Sequence, residues 1–132
     1  VIMIGFKCKS WFDGKKVKRK ANRATFQSLN HAAAAIRITA RRSIRRSPKE
    51  SAAGQPPHTR RGQLKRGILY SVDKRRQSAV IGPAYTIVGR SGSAHEFGRK
   101  YYEREYPARS FMGPALRANL HRIPRLWANS IK

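Results

Sequence analysis

The chain has 132 residues, 39% of them hydrophobic and 27% charged, which suits one domain of ordinary size and leaves no room for a second independent core. Thirty Lys and Arg stand against six Asp and Glu, and a formal charge of +24 calls for a polyanion, a counterion cloud or acidic neighbours. The longest apolar run, Ala32 to Ile36, is far short of the roughly 20 residues of a membrane-spanning helix, the start with Lys7 and Lys9 does not read as a secretory signal, and a single Cys8 excludes an internal disulfide framework and a multi-cysteine zinc site.

Half of the net charge falls in residues 1 to 48. Positions 1 to 9 predict a strand, with Ile2, Ile4, Phe6 and Cys8 alternating with Met3, Gly5 and Lys7, and Trp11 to Gly14 predict the turn that closes it. From Lys15 to about Arg46 there is neither Pro nor Gly. Val17, Ala21, Thr25, Leu29, Ala32, Ile36, Ala40 and Ile44 recur at spacings of three and four, the stripe of a helix whose other faces are Lys and Arg. Such a helix is about 48 Å long, against a diameter of roughly 36 Å for a globule of this size, so it kinks or projects.

Pro48, Gly54, Pro56 and Pro57 punctuate residues 47 to 58 and predict a loop of functional length. Thr59 to Arg66 reads as a short helix capped by Thr59. Ile68 to Val72 and Ser78 to Ile81, with a turn over Lys74 to Gln77, read as an antiparallel hairpin. Pro83 to Gly98 predicts a helical turn plus a loop, and Lys100 to Tyr106 one exposed strand that Pro107 ends. Ser110 to Asn129 carries Phe111, Leu116, Leu120, Ile123 and Trp127 at near-helical spacing, with Pro114 tolerable in the first turn and Pro124 kinking or splitting the helix. The fold class is therefore α+β: a small antiparallel sheet packed by a long N-terminal helix and a C-terminal helix.

Chemistry has few candidates. His31, His58, His95 and His121 lack the close spacing of a metal motif. His95 and Glu96 form the one adjacent His and carboxylate, and a structural Glu is the better reading; a nuclease-like site built on this pair is the weakest functional reading. Asp13 and Asp73 read as turn residues, while Glu103 and Glu105 share a face of an arginine-rich strand and pair with it. No Gly-rich phosphate cradle ends in Lys and Ser or Thr. The chain is thus expected to be no enzyme and to need no cofactor. Its basic runs, among them Arg41, Arg42, Arg45, Arg46, Arg60 and Arg61, suit salt-dependent, sequence-indifferent contact with phosphates, so a monomeric nucleic-acid-binding module is the alternative to the reading that follows.

Two stretches carry a resemblance. Gly54-Gln55-Pro56-Pro57-His58-Thr59-Arg60-Arg61-Gly62-Gln63-Leu64-Lys65-Arg66-Gly67-Ile68 resembles a Gly-x-Pro-Pro run followed by Thr-Gly-x-Leu-x-x-Ser-Ile. His95-Glu96-Phe97-Gly98 with Tyr106-Pro107-Ala108-Arg109-Ser110-Phe111-Met112-Gly113-Pro114-Ala115-Leu116 is similar to Glu-Phe-Gly and Pro-Ala-Arg-Pro-Phe-Leu-x-Pro-Ala-Leu. Both are signatures of the tail-completion or neck proteins of tailed bacteriophages. Arg61, Gly67 and Ser110 depart from the commonest Thr, Ser and Pro at their positions.

The resemblance implies a virion component assembled in the host cytoplasm, a ring, usually hexameric, around the DNA channel. Its partners would be portal or head-completion proteins, tail tube or tail terminator proteins, and the DNA itself without sequence preference; no membrane is involved. Subunit and partner contacts are expected at Pro56, Pro57, His58, Arg60 and Arg61, and contacts with DNA or acidic partners at Arg41, Arg42, Arg45 and Arg46, which act collectively. Glu96, Phe97, Gly98, Pro107, Phe111, Pro114 and Leu116 are expected to be structural, with the Phe97 ring buried beside a Gly in a tight turn and Phe111, Leu116 and Leu120 docking the last helix onto the sheet.

Overall fold

The computed structural model describes residues 13–101, 103–128 and 130–131. The strand expected over positions 1 to 9 lies outside them. Asp13 is the N-cap of α1 (Gly14–Ser43), its Oδ1 accepting the Lys16 N–H at 3.0 Å, so it starts a helix where a turn was expected. At 1.5 Å per residue α1 is about 45 Å long. It is one unbroken helix, and Gly14 to Lys20 are all exposed while its buried line begins at Ala24 and runs through Ser28, Ala32, Ala33, Ile36 and Ala40. The excess length therefore projects.

The helix ends three residues earlier than its composition predicts, because Ile44 turns extended (φ −88°, ψ 116°) and is buried in the core. Arg45 and Arg46 form β1 (Arg45–Arg46), which pairs in parallel with β2 (His58–Thr59). Between them, the loop is tied down: Ser47 N–H donates to Thr59 O at 3.1 Å, and the His58 ring nitrogen Nδ1 lies 2.9 Å from Lys49 O. Thr59 belongs to β2 and is not the residue that opens α2 (Gln63–Gly67). That position is Gly62, at φ +78°, whose N–H donates to Thr59 Oγ1 at 3.1 Å.

The hairpin is as expected. β3 (Ile68–Asp73) and β4 (Ser78–Pro83) pair antiparallel with Ile68 opposite Pro83 and Asp73 opposite Ser78. Asp73 Oδ1 holds the turn by accepting the N–H groups of Arg75 (2.8 Å) and Arg76 (3.1 Å). The next stretch departs in part from expectation: the helical turn is present as α3 (Tyr85–Val88), but the loop expected after it holds a second helix, α4 (Ser91–Phe97), and the expected single strand is a second hairpin, β5 (Arg99–Tyr101) with β6 (Arg104–Tyr106). Pro124 does split the last helical region, into α5 (Met112–Asn119) and α6 (Ile123–Trp127).

The molecule is α+β, with α1 as its spine. The β3 and β4 hairpin packs on α1, and so do α5 and α6. The core joins Ile36, Ala40 and Ile44 of α1's end to Leu64, Ile68, Phe111 and Ala115, with Ile81, Val88, Met112 and Ile123 at its edge. The final helices therefore dock on α1 rather than on the sheet, and through other residues than expected: Leu116 and Leu120 are 44% and 52% exposed, while Ala115 and Asn119 face inward. The buried line of α1 is mostly Ala, with Ile36 among them, which lets α5 pack through Ala115 and Asn119. Asn119 satisfies its buried amide by donating to Thr39 Oγ1 (2.9 Å) and Ala115 O (2.8 Å).

Candidate functional site

The end of α1, β1 and β2 together build an arginine pole. Arg41 and Arg42 stand in the last helical turn, Arg45 and Arg46 on β1, and Arg60 and Arg61 just beyond β2. Two of these guanidiniums, and those of the neighbouring Arg37 and Arg66, donate to backbone carbonyls. Arg37 Nε donates to Ile68 O (2.8 Å), Arg41 Nη2 to Arg66 O (3.1 Å), Arg46 Nε to Arg60 O (3.2 Å) and Arg66 Nη2 to Arg61 O (3.3 Å). Carbonyls orient a cation without cancelling its charge. Among the described residues the ion pairs are Arg76 with Asp73 (3.9 Å) and Arg109 with Glu50 (3.7 Å); Glu50 borders the cluster beside Arg42 and Arg45 but pairs with Arg109.

The four arginines expected to act as one set divide into two. Arg41 is half-buried, bonded inward, and its pKa is lowered by burial and then by the charge of Arg37, whereas Arg42, Arg45 and Arg46 are exposed. A cleft of about 410 Å³ is lined by Arg46, Ser47, Pro48 and Arg60, and another of about 520 Å³ includes Arg42, Arg45, Glu50, Gln55, Pro56 and His58, so one carboxylate borders the arginines. Pro57 is fully buried inside the chain, which withdraws it from the expected contact residues; Pro56 and His58 are partly exposed, and Arg60 and Arg61 fully so.

The second motif folds into a clamp. Residue 98 needs a left-handed backbone (φ +74°), and a Cβ there would stand 3.0 Å from Ala108 N, so Gly is required. After the β5 and β6 hairpin the chain beyond Pro107 returns to α4, where Arg109 N–H donates to His95 O (2.6 Å) and the Ser110 hydroxyl to Glu96 O (2.8 Å). Glu96 then reaches the start of α5. Its Oε2 accepts the N–H groups of Phe111 and Met112, and its Oε1 that of Gly113, each at 2.9 Å. A carboxylate placed against three free amides of a helix start satisfies donors that the helix cannot, and complements its dipole. Since His95 and Glu96 lie on a helix rather than a strand, their side chains diverge by about 100°.

Sequence reasoning found Glu96 as structural but missed what it does. The signal was present: α5 starts at Phe111 with no capping side chain of its own. The expectation for Phe97 is overturned, since its ring is 79% exposed while Phe111 is wholly buried. Pro107 follows β6, and Pro114 sits exposed in α5's first turn, as expected. Gly67 also has a reason, because a Cβ there would stand 2.8 Å from a Val88 methyl.

The two motif stretches touch each other. Gly54 N–H donates to Ala108 O (3.0 Å), and just ahead of the first stretch Ser51 O accepts from Arg109 Nε (3.0 Å). Among the described residues no three His, Cys, Asp or Glu stand together as metal ligands, and no helix is long and apolar enough to cross a membrane. No protein-family model, curated protein or solved structure matches this chain.

Proposed function

We propose that this chain is a structural protein of a tailed bacteriophage, one subunit of a neck or tail-completion ring that joins head to tail around the DNA channel. The observation that carries this reading is the junction between the two motif stretches. Residues 54 to 68 and 95 to 116 resemble neck-protein signatures, and the Gly54 to Ala108 hydrogen bond joins them, with the Arg109 to Ser51 bond just before the first stretch.

The surface supports it. α1 extends beyond its own core, and Val80, Tyr85, Ile87 and Phe97 are exposed apolar side chains that a monomer leaves in water. The arginine pole suits the portal or head side, or DNA passing through a lumen, without sequence preference. The Glu96 carboxylate is committed to three amides, which favours a building role over a catalytic one.

The test is omission. In cells infected by a phage lacking this chain, DNA-filled heads and finished tails accumulate unjoined, and adding the purified protein joins them. Joined particles formed without it contradict the reading. The same arginine pole favours a second reading, a monomeric nucleic-acid-binding module, which predicts normal joining and a defect in DNA handling instead.

A further inference from the structure

The chain has six acidic residues. Asp13 caps α1, Asp73 holds the hairpin turn, Glu50 faces Arg109 and Glu96 caps α5. Glu103 and Glu105 remain. Both are exposed at the outer end of the β5 and β6 hairpin, and among the described residues neither is in an ion pair.

At the base of that hairpin lies a cleft of about 360 Å³ with the opposite character. It is lined by Arg90, Ser91, Ala94, His95, Arg99, Tyr106 and Arg109: three guanidiniums, an imidazole and two hydroxyls around an apolar floor. Glu50 is exposed and pairs with Arg109 at 3.7 Å, while Arg90 and Arg99 have no ion pair among the described residues. Burial, and then the Arg109 charge, lower the His95 pKa, with Glu50 opposing. Such a cleft is built to receive a carboxylate.

The chain's own tip cannot supply one. Arg99 and Tyr106 are cross-strand partners, whereas Glu105 pairs across from Lys100 and so projects from the opposite face. Glu103 stands three strand positions away, about 10 Å along the hairpin. We propose that the Glu103 and Glu105 tip of one copy inserts into the Arg90, Arg99 and Arg109 cleft of the next. The contact uses two different surfaces, so it is heterologous and propagates head to tail, closing into a ring where the rotation allows. It also answers how chains of +24 associate at all, since it sets two acids against a group of arginines. The inference rests on the ring reading above and names its interface.

Charge exchange tests it on the full-length chain with nucleic acid removed. The variant Glu103→Arg/Glu105→Arg and the variant Arg90→Glu/Arg99→Glu are each expected to weaken self-association by about tenfold or more in sedimentation velocity. The second lowers the net charge and would by general repulsion associate better, so its loss points to the specific contact. Mixed in equal amounts the two assemble, because every junction is again of opposite charge, and the chain carrying all four changes assembles alone. Circular dichroism checks folding, and Glu103→Gln/Glu105→Gln supplies a milder version with the same direction. A wild-type ring that both variants form equally well overturns the docking and leaves the ring reading standing. A wild-type chain that stays monomeric at every concentration overturns both.

Discussion

Glu96 on α4 accepts the backbone N–H of Phe111 at 2.9 Å across fifteen residues of chain, so the end of one helix caps the start of another. Two more amides share the same carboxylate. Glu96→Ala is expected to lower stability by about 2 kcal/mol, the scale of a lost cap with charged hydrogen bonds. Glu96→Gln, which keeps an oxygen but presents an NH2 to the remaining donors, should lie between. Urea denaturation measures both, with the midpoint falling at unchanged slope.

The two phenylalanines should separate cleanly. Phe111→Ala empties the core beside Ile44 and Ile68 and is expected to cost about 3–5 kcal/mol. Phe97→Ala should stay within about 0.5 kcal/mol, because its ring is already in water. If Phe97 proves the costly one, the clamp geometry is wrong.

Gly98→Ala meets two obstacles, a left-handed backbone and the amide and carbonyl of Ala108 and Tyr106 at 3.0 and 3.1 Å. A loss of about 1–3 kcal/mol is expected. Gly54→Ala, also at positive φ but with open space around its Cβ, should show the backbone strain alone, about 1–2 kcal/mol. Thermal unfolding of the two variants side by side measures the difference.

His95 adds a pH dependence. Burial, then Arg109, hold its pKa below the ordinary value, with Glu50 opposing. Above about pH 6.5 the imidazole is neutral folded or unfolded and the native state keeps its full stability. As pH falls through that value the unfolded chain takes up the proton first, and stability drops until the lowered folded pKa is passed. Unfolding midpoints between about pH 7.5 and pH 5.5 should therefore fall further for the wild type than for His95→Gln.

Arg42, Arg45, Arg46 and Arg60 are expected to govern DNA affinity together. Replacing all four by Gln should flatten the slope of log K against log salt by up to about 3 to 4, while each single change is nearly silent. Arg41→Gln belongs elsewhere, since its bond to Arg66 O ties α1 to α2, and it should lower the melting temperature more than the DNA affinity. Fluorescence anisotropy at several salt concentrations separates the two effects.

What the sequence made legible is local. The 68 to 83 hairpin announces itself by alternation and by Asp73 in its turn, and the long helix by the absence of Pro and Gly. The helix end was hidden because Arg-Arg-Ser-Ile continues a helix as readily as it leaves one; β2 pairing and burial of Ile44 decide the matter from a distance. The α3 and α4 stretch reads as loop because it is rich in Gly and Ser, yet Gly92 is small for a packing reason, since a Cβ there would strike the Pro83 ring. On α5 the large residues misled: Leu116 and Leu120 look like a core stripe, but against an Ala-lined helix the snug face is Ala115 and Asn119. The motif stretches identified the important turns, and only the fold showed Glu96 reaching across to α5.

The central claim is that this chain acts as a ring subunit, and the most direct measurement is the mass of the purified protein by light scattering, at high and then low salt, with nucleic acid removed. The account predicts a discrete assembly near six copies, loosened by salt because acid and arginine hold its junctions. A chain that remains monomeric under both conditions, and still binds DNA tightly at low salt, would contradict it.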